Sequence, residues 1–156
     1  MTALEPPVDQ VFESIVGLAP GTTRRQDRRD EDIVIVRPET DTLSKQRLPY
    51  FVGISGASAG STRISMNLVV IPPSGAAEPH SHRGYETAVY MMKGRVDVRY
   101  GHHLERLTTL EQGDFLFIPA DLPHQPVNHD PNEAALAIVA RNDANEQERV
   151  EIFHGH

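Results

Sequence analysis

The chain has 156 residues, a formal net charge of -7 and no cysteine. With a pI near 5.5 it lacks the surplus of positive charge that phosphate neutralisation needs, which argues against a nucleic-acid partner. Without cysteine there are no disulfides and no thiolate catalysis, so any metal site must be built from histidine and carboxylate ligands.

The length suits one domain with a sizeable core. Near the start, Val8, Val11, Phe12, Ile15 and Val16 recur at helical spacing ahead of Gly17, predicting one short amphipathic helix. Residues 23–32 then carry four arginines and four acids, which reads as a solvated, locally paired linker and not as a phosphate-binding arm. Residues 1–32 are therefore expected to be helix and charged linker, and residues 33–156 a single folded domain. No apolar run approaches the roughly 18 residues of a membrane span, and the N-terminus has neither a basic start nor an apolar signal core. A soluble cytoplasmic protein with no membrane partner is the expectation.

From residue 33 the pattern changes to short strands separated by turn residues. Candidate strands are 33–37, 48–55, 63–71, 85–92, 96–100, 104–110, 115–118, 124–128, 135–141 and 150–153. Pro72-Pro73, Gly75, Gly94, Gly113 and Pro123 punctuate them. Many short strands with little helix predict an all-β sandwich or small barrel.

Two clusters in this region carry chemistry. The first holds His80, His82 and Glu86, and the second holds His124. Three imidazoles and a carboxylate suit a borderline divalent metal and leave room for water, oxygen or substrate. On extended backbone His80 and His82 share a face, as do His124 and Asn128. His80, His82, Glu86 and His124 are the candidate metal ligands.

The two clusters resemble the paired signature motifs of the cupin superfamily. His80, His82 and Glu86 match the ligands of its first motif and His124 the ligand of its second, with Gly75, Gly94, Gly113, Pro119 and Asn128 at framework positions. Two departures stand in turns: the gap from Gly75 to His80 is one residue short, and Asp121 replaces a usual glycine. The resemblance implies a double-stranded β-helix, a jelly-roll barrel with the metal near one mouth. It also implies one divalent ion per chain (Fe, Mn, Ni, Co or Zn) and pairing as a homodimer, for which strand 33–37 is the candidate to cross into a partner sheet.

Alternation counted from Glu86 turns Ala88, Tyr90 and Met92 toward the metal, Tyr90 and Met92 being read as core filling or pocket contacts. The polar positions Arg63, Ser65 and Asn67 form either a wet outer face or a pocket wall, with Arg63 and Asn67 as candidate ligand anchors. Asn128 fits a supporting or turn-fixing role. His102, His103, His129, His154 and His156 lie in turns or at the terminus and are read as solvent-facing.

The resemblance implies a metal-dependent enzyme acting on a small, oxygen-rich molecule, among dioxygenases, decarboxylases, lyases and isomerases. The alternative is a non-catalytic module that binds or senses a small ligand with a structural metal. A metal-free epimerase would need a His/Asp acid–base pair and predicts lost ligands.

Overall fold

A computed structural model of the chain describes residues 32–38, 42–43, 47–145 and 149–155. The predicted helix and most of the charged linker lie outside the described residues. The described residues form eleven strands and one helical turn: β1 Thr42–Leu43, β2 Pro49–Ile54, α1 Gly56–Ala59, β3 Ser65–Ile71, β4 His80–His82, β5 Thr87–Lys93, β6 Arg95–Tyr100, β7 Arg106–Glu111, β8 Phe115–Ile118, β9 His124–Val127, β10 Ala135–Arg141 and β11 Val150–Ile152. Two antiparallel sheets result, one of six strands in the order β1-β2-β3-β10-β5-β8 and one of five in the order β11-β4-β9-β6-β7. They face each other as a double-stranded β-helix, all-β as the strand pattern predicts and of the kind the family resemblance implies.

The corners explain how the chain moves between sheets. A single residue, Gly94, links β5 in the first sheet to β6 in the second. Its φ of +86° suits glycine, and an added Cβ would meet Ala135 at 3.1 Å. Between β9 and β10 the turn is fixed by Asn128, which is buried. Its Nδ2 donates to the carbonyls of Ile71, Pro72 and Glu133, and its Oδ1 accepts from the Asp130 N–H. A short side chain with both donor and acceptor satisfies four backbone groups that would otherwise be stranded at the barrel end.

Apolar residues lie on both faces of the six-stranded sheet. Between the sheets, Tyr50, Val69, Ile71, Met91, Val98, Leu110 and Val139 form the inner core. On the opposite face, Phe51, Leu68, Val70 and Leu136 pack with Met92 and Ile138. Burial on both faces explains why β3 and β10 read as nearly continuous apolar runs, not as alternation. Each such fully buried side chain contributes roughly 1.5–3 kcal/mol of transfer free energy.

Two expectations about strands need correction. Residues 33–37 form no strand, and Ile33 is 96% exposed, because no strand among the described residues pairs with them. Conversely, β4 at His80–His82 was not among the candidate strands, since its two histidines and Ser81 lack the β-branched signature.

Candidate metal centre

Strand pairing builds the site. In the five-stranded sheet β4 lies beside β9, and His80 is directly opposite His124. His82 is two residues along β4 and points to the same face. The three rings meet inside the barrel with centroids 4.4 to 5.0 Å apart. All three side chains are buried, and one nitrogen from each lies within 4.8 Å of the others. The loop leading to His124 is tied to β4 through Asp121, whose N–H donates to the His82 carbonyl and whose Oδ1 accepts from the Gly84 N–H. Asp121 has a φ of +65°. It thus adopts the turn conformation that glycine normally supplies and adds a cross-link that glycine lacks.

Hydrogen bonds to the second ring nitrogen orient each imidazole. His80 Nδ1 donates to the Glu78 carbonyl at 2.7 Å and His124 Nδ1 to the Leu122 carbonyl at 2.9 Å. A carbonyl only accepts, so the proton sits on Nδ1 and the lone pair is left on Nε2. His82 Nδ1 is 2.8 Å from the Tyr85 hydroxyl, while its Nε2 is buried without a hydrogen-bond partner. With lone pairs on Nε2 of His80 and His124, and His82 Nε2 buried beside them without a hydrogen-bond partner, the three imidazoles form a donor set suited to a divalent ion.

Burial keeps the three rings neutral. Desolvation first, then the charges of His124 and Arg141, pull His80 down to about 3, against the pull of the Glu78 carbonyl. His124 falls to about 4, again chiefly by desolvation, with Arg141 adding to it and the Leu122 carbonyl opposing. His82 is lowered furthest, by desolvation and then by Arg141 and the other two histidines. Neutral imidazole is the form that binds a metal.

The remaining predicted site residues lie elsewhere. Glu86 is exposed, its N–H donates to Asn142 Oδ1, and it is not part of the three-histidine group. The inward position belongs to Thr87, which is 2% exposed and opens β5. The turn at Arg83-Gly84, where Gly84 has a φ of +76°, resets the phase after His82, so an alternation counted with Glu86 inward is one position out of step. The rest of β5 is displaced accordingly. Thr87, Val89 and Met91 line the cavity, whereas Tyr90 is 39% exposed and packs against Phe115 with the rings tilted by 44°. Met92 packs into the outer apolar cluster with Phe51 and Leu136. Neither Tyr90 nor Met92 lines this cavity. Arg63 is exposed, and Asn67, though buried, accepts from the Gly53 N–H at 3.1 Å, which holds the irregularity of β2. His102 and His103 are exposed, as predicted for turn residues.

The cavity between the sheets has a volume of about 70 Å³. Its walls are mostly Val, Leu and Ile, with the three histidines, Thr87 and Arg141 as its polar lining. A second groove of about 470 Å³ shares Val98, Leu116, Ile118 and His124 with it. Sequence reasoning missed Thr87, Arg141 and Tyr85. A signal for Arg141 was present: residues 135, 137, 139 and 141 alternate onto one face of an apolar strand, and the last is a cation.

Residues 67–140 match the family model for a cupin domain. Among curated protein sequences none matches this chain. Several solved structures share the fold. The polyketide cyclase RemF from Streptomyces resistomycificus aligns over 86% of this chain and 88% of its own, at 22% identity and a TM-score of 0.59. An oxalate oxidase aligns over 70% of this chain and 56% of its own, at 22% identity and a TM-score of 0.58. The oxalate decarboxylase OxdC of Bacillus subtilis aligns over 72% and 30%, at 19% identity and a TM-score of 0.61. This chain therefore spans little more than half of the oxidase and less than a third of the decarboxylase. At these identities the likeness is one of fold. Among the described residues no helix is long and apolar enough to cross a membrane. Two antiparallel sheets close over histidines from two motifs, and residues 67–140, which carry those histidines, match the cupin domain model, so the chain contains a cupin domain.

Proposed function

We propose that the chain holds one divalent ion at His80, His82 and His124 and acts as a metal-dependent enzyme on a small, oxygen-rich molecule. One observation carries this reading: three buried, neutral imidazoles converge on one cavity with their second nitrogens held by hydrogen bonds. Such an ion, when bound, polarises a substrate oxygen and stabilises negative charge developing there. The protein's part is to hold three neutral ligands, exclude bulk water with apolar walls and orient the substrate. Three protein ligands leave positions for exchangeable donors, the arrangement typical of catalytic and not of structural sites. That counts against the alternative of a purely structural metal in a binding module. Within the same reading a second copy of the chain pairs through the exposed apolar residues of the barrel, Phe115 and Phe117 among them.

The test uses cobalt-loaded protein titrated with oxalate and acetylacetone while its visible spectrum is recorded. A shift of the bands without loss of cobalt is expected. An unmoved spectrum in fully loaded protein would show a closed site and favour the binding-module alternative.

Tyr85→Phe probes how His82 is held. The change deletes the hydroxyl 2.8 Å from His82 Nδ1 and leaves the ring in place. Metal affinity is expected to fall by about 10–100-fold, as for loss of a hydrogen bond that orients a ligand. Competition against a chromophoric chelator measures it, and an unchanged affinity would mean that packing alone orients His82.

A further inference from the structure

A buried hydroxyl shares the cavity with the three histidines. Thr87 opens β5, is 2% exposed and lines the cavity, yet its Oγ1 has no hydrogen-bond partner among the described residues. His82 Nε2 is stranded in the same way and belongs to the same cavity. Buried polar groups are almost always paired, because an unpaired one forfeits its hydrogen bond to water and gains nothing in return. A hydroxyl held unpaired in the cavity of the metal-centre histidines points to a group from outside the chain.

Local structure does not account for this hydroxyl. A threonine suits a strand through its branched Cβ, a need that valine meets equally well. Its partner on β8 is Ile118, and the cavity-lining positions that follow it on β5 are Val89 and Met91, so an apolar side chain would complete this wall. Ser65 of β3 offers a comparison: it too is buried with an unpartnered Oγ, but it does not line the cavity. Size and chemistry define the guest. A cavity of about 70 Å³ has room for about five water-sized atoms. The threonine hydroxyl both donates and accepts, so it pairs with another hydroxyl without leaving a proton or lone pair unmatched. In so short a molecule an oxygen at Thr87 and an oxygen facing the histidines stand on adjacent carbons or nearly so.

We propose that Thr87 is a specificity-determining residue of the centre, whose hydroxyl bonds the hydroxyl of a short α-hydroxy ketone while the ketone oxygen faces the three histidines. The apolar end of the molecule then lies against Val89 and Val139, which line the same cavity. A molecule lacking the hydroxyl leaves Thr87 buried and unpaired, and is rejected for that reason. The Thr87 contact rests on the cavity alone; the placing of the ketone oxygen rests on the metal-centre reading above.

The experiment is a ligand-observed proton NMR titration of the full chain, both zinc-loaded and chelator-treated, with hydroxyacetone and with butanone. Butanone keeps the ketone and the shape but carries a methyl in place of the hydroxyl. Unaltered protein is expected to prefer hydroxyacetone by about tenfold. Thr87→Val, which keeps the side-chain shape and deletes the hydroxyl, should cut that preference about threefold or more, the yield of one neutral hydrogen bond. Thr87→Ser should keep it, and so should Ser65→Ala. Urea melts of the chelated variants separate this role from a structural one. A hydroxyl without a partner in the folded chain gives Thr87→Val a midpoint equal to that of the unaltered protein or higher. A lower midpoint would mean that the hydroxyl serves the fold, and overturns the proposal. So does a preference unchanged in Thr87→Val, and so does an absence of hydroxyacetone binding. Elemental analysis separates the two readings. A chain that retains no zinc yet loses its preference in Thr87→Val refutes the metal centre and keeps the contact, whereas a loaded chain whose preference ignores Thr87→Val does the reverse.

Discussion

Replacing His124 by alanine is expected to bring bound metal from one ion per chain to a trace, while His103→Ala and Glu86→Gln leave it unchanged. His124 is the sole contribution of β9 to the three-histidine group and stands opposite His80 in the sheet. Its loss leaves two ligands on one short strand, so affinity should fall by more than the about 100-fold that attends loss of a supporting hydrogen bond. His103 and Glu86 are both exposed and contribute no nitrogen or oxygen to the group. Elemental analysis after extensive dialysis, with circular dichroism to verify folding, measures all three variants. Full metal content in His124→Ala would remove the centre from this end of the barrel. Loss of metal in Glu86→Gln would return that carboxylate to the ligand set.

Acid is expected to destabilise the metal-free protein progressively from about pH 6.5 downward, beginning before exposed carboxylates titrate. His80 and His124 have folded-state values of about 3 and about 4, and His82 is lowered further still, against 6.5 for an unhindered histidine. The sign follows from proton uptake. Above pH 6.5 all three rings are neutral in both states and stability does not depend on them. Below it the unfolded chain takes up protons that the folded barrel refuses, so stability falls as pH drops toward the folded-state values. Three such groups remove on the order of 10 kcal/mol by pH 4, comparable with the whole stability of an ordinary domain, about 5–15 kcal/mol. Urea melts of chelated protein from pH 7.5 to about pH 4 should show the midpoint collapsing across this window. Saturating zinc should displace the fall to lower pH, because protons and metal compete for the same nitrogens. A midpoint independent of pH over this range would show that the three rings are wetter than their burial implies.

The histidines of the centre were legible in the sequence for a simple reason. A strand places residues two apart on one face, so the pair at His80 and His82 declares its own geometry, and β4 needs only a neighbour to complete the set. Asn128 was legible as a turn-fixing residue because an amide between two strands has backbone groups to satisfy, and the structure gives it four. The all-β fold followed from turn residues recurring every few positions, a local signal that tertiary contacts seldom override.

What the sequence determined, then, was the fold class and the three imidazoles, because both depend on local spacing. The tertiary structure decided everything that depends on phase and on partners. Glu86 and Thr87 are adjacent, and the turn at Gly84 gives the inward position to the hydroxyl and not to the carboxylate. That single step also carries Tyr90 to the outer face beside Phe115 and brings Val89 and Met91 into the cavity. Arg141 stands fifty-nine positions after His82, and only the antiparallel registers of β10 with β3 and β5 bring its charge to the histidines. A side-chain period of two is exact within a strand but carries no memory across a turn, so the site's charge could be settled only by folding.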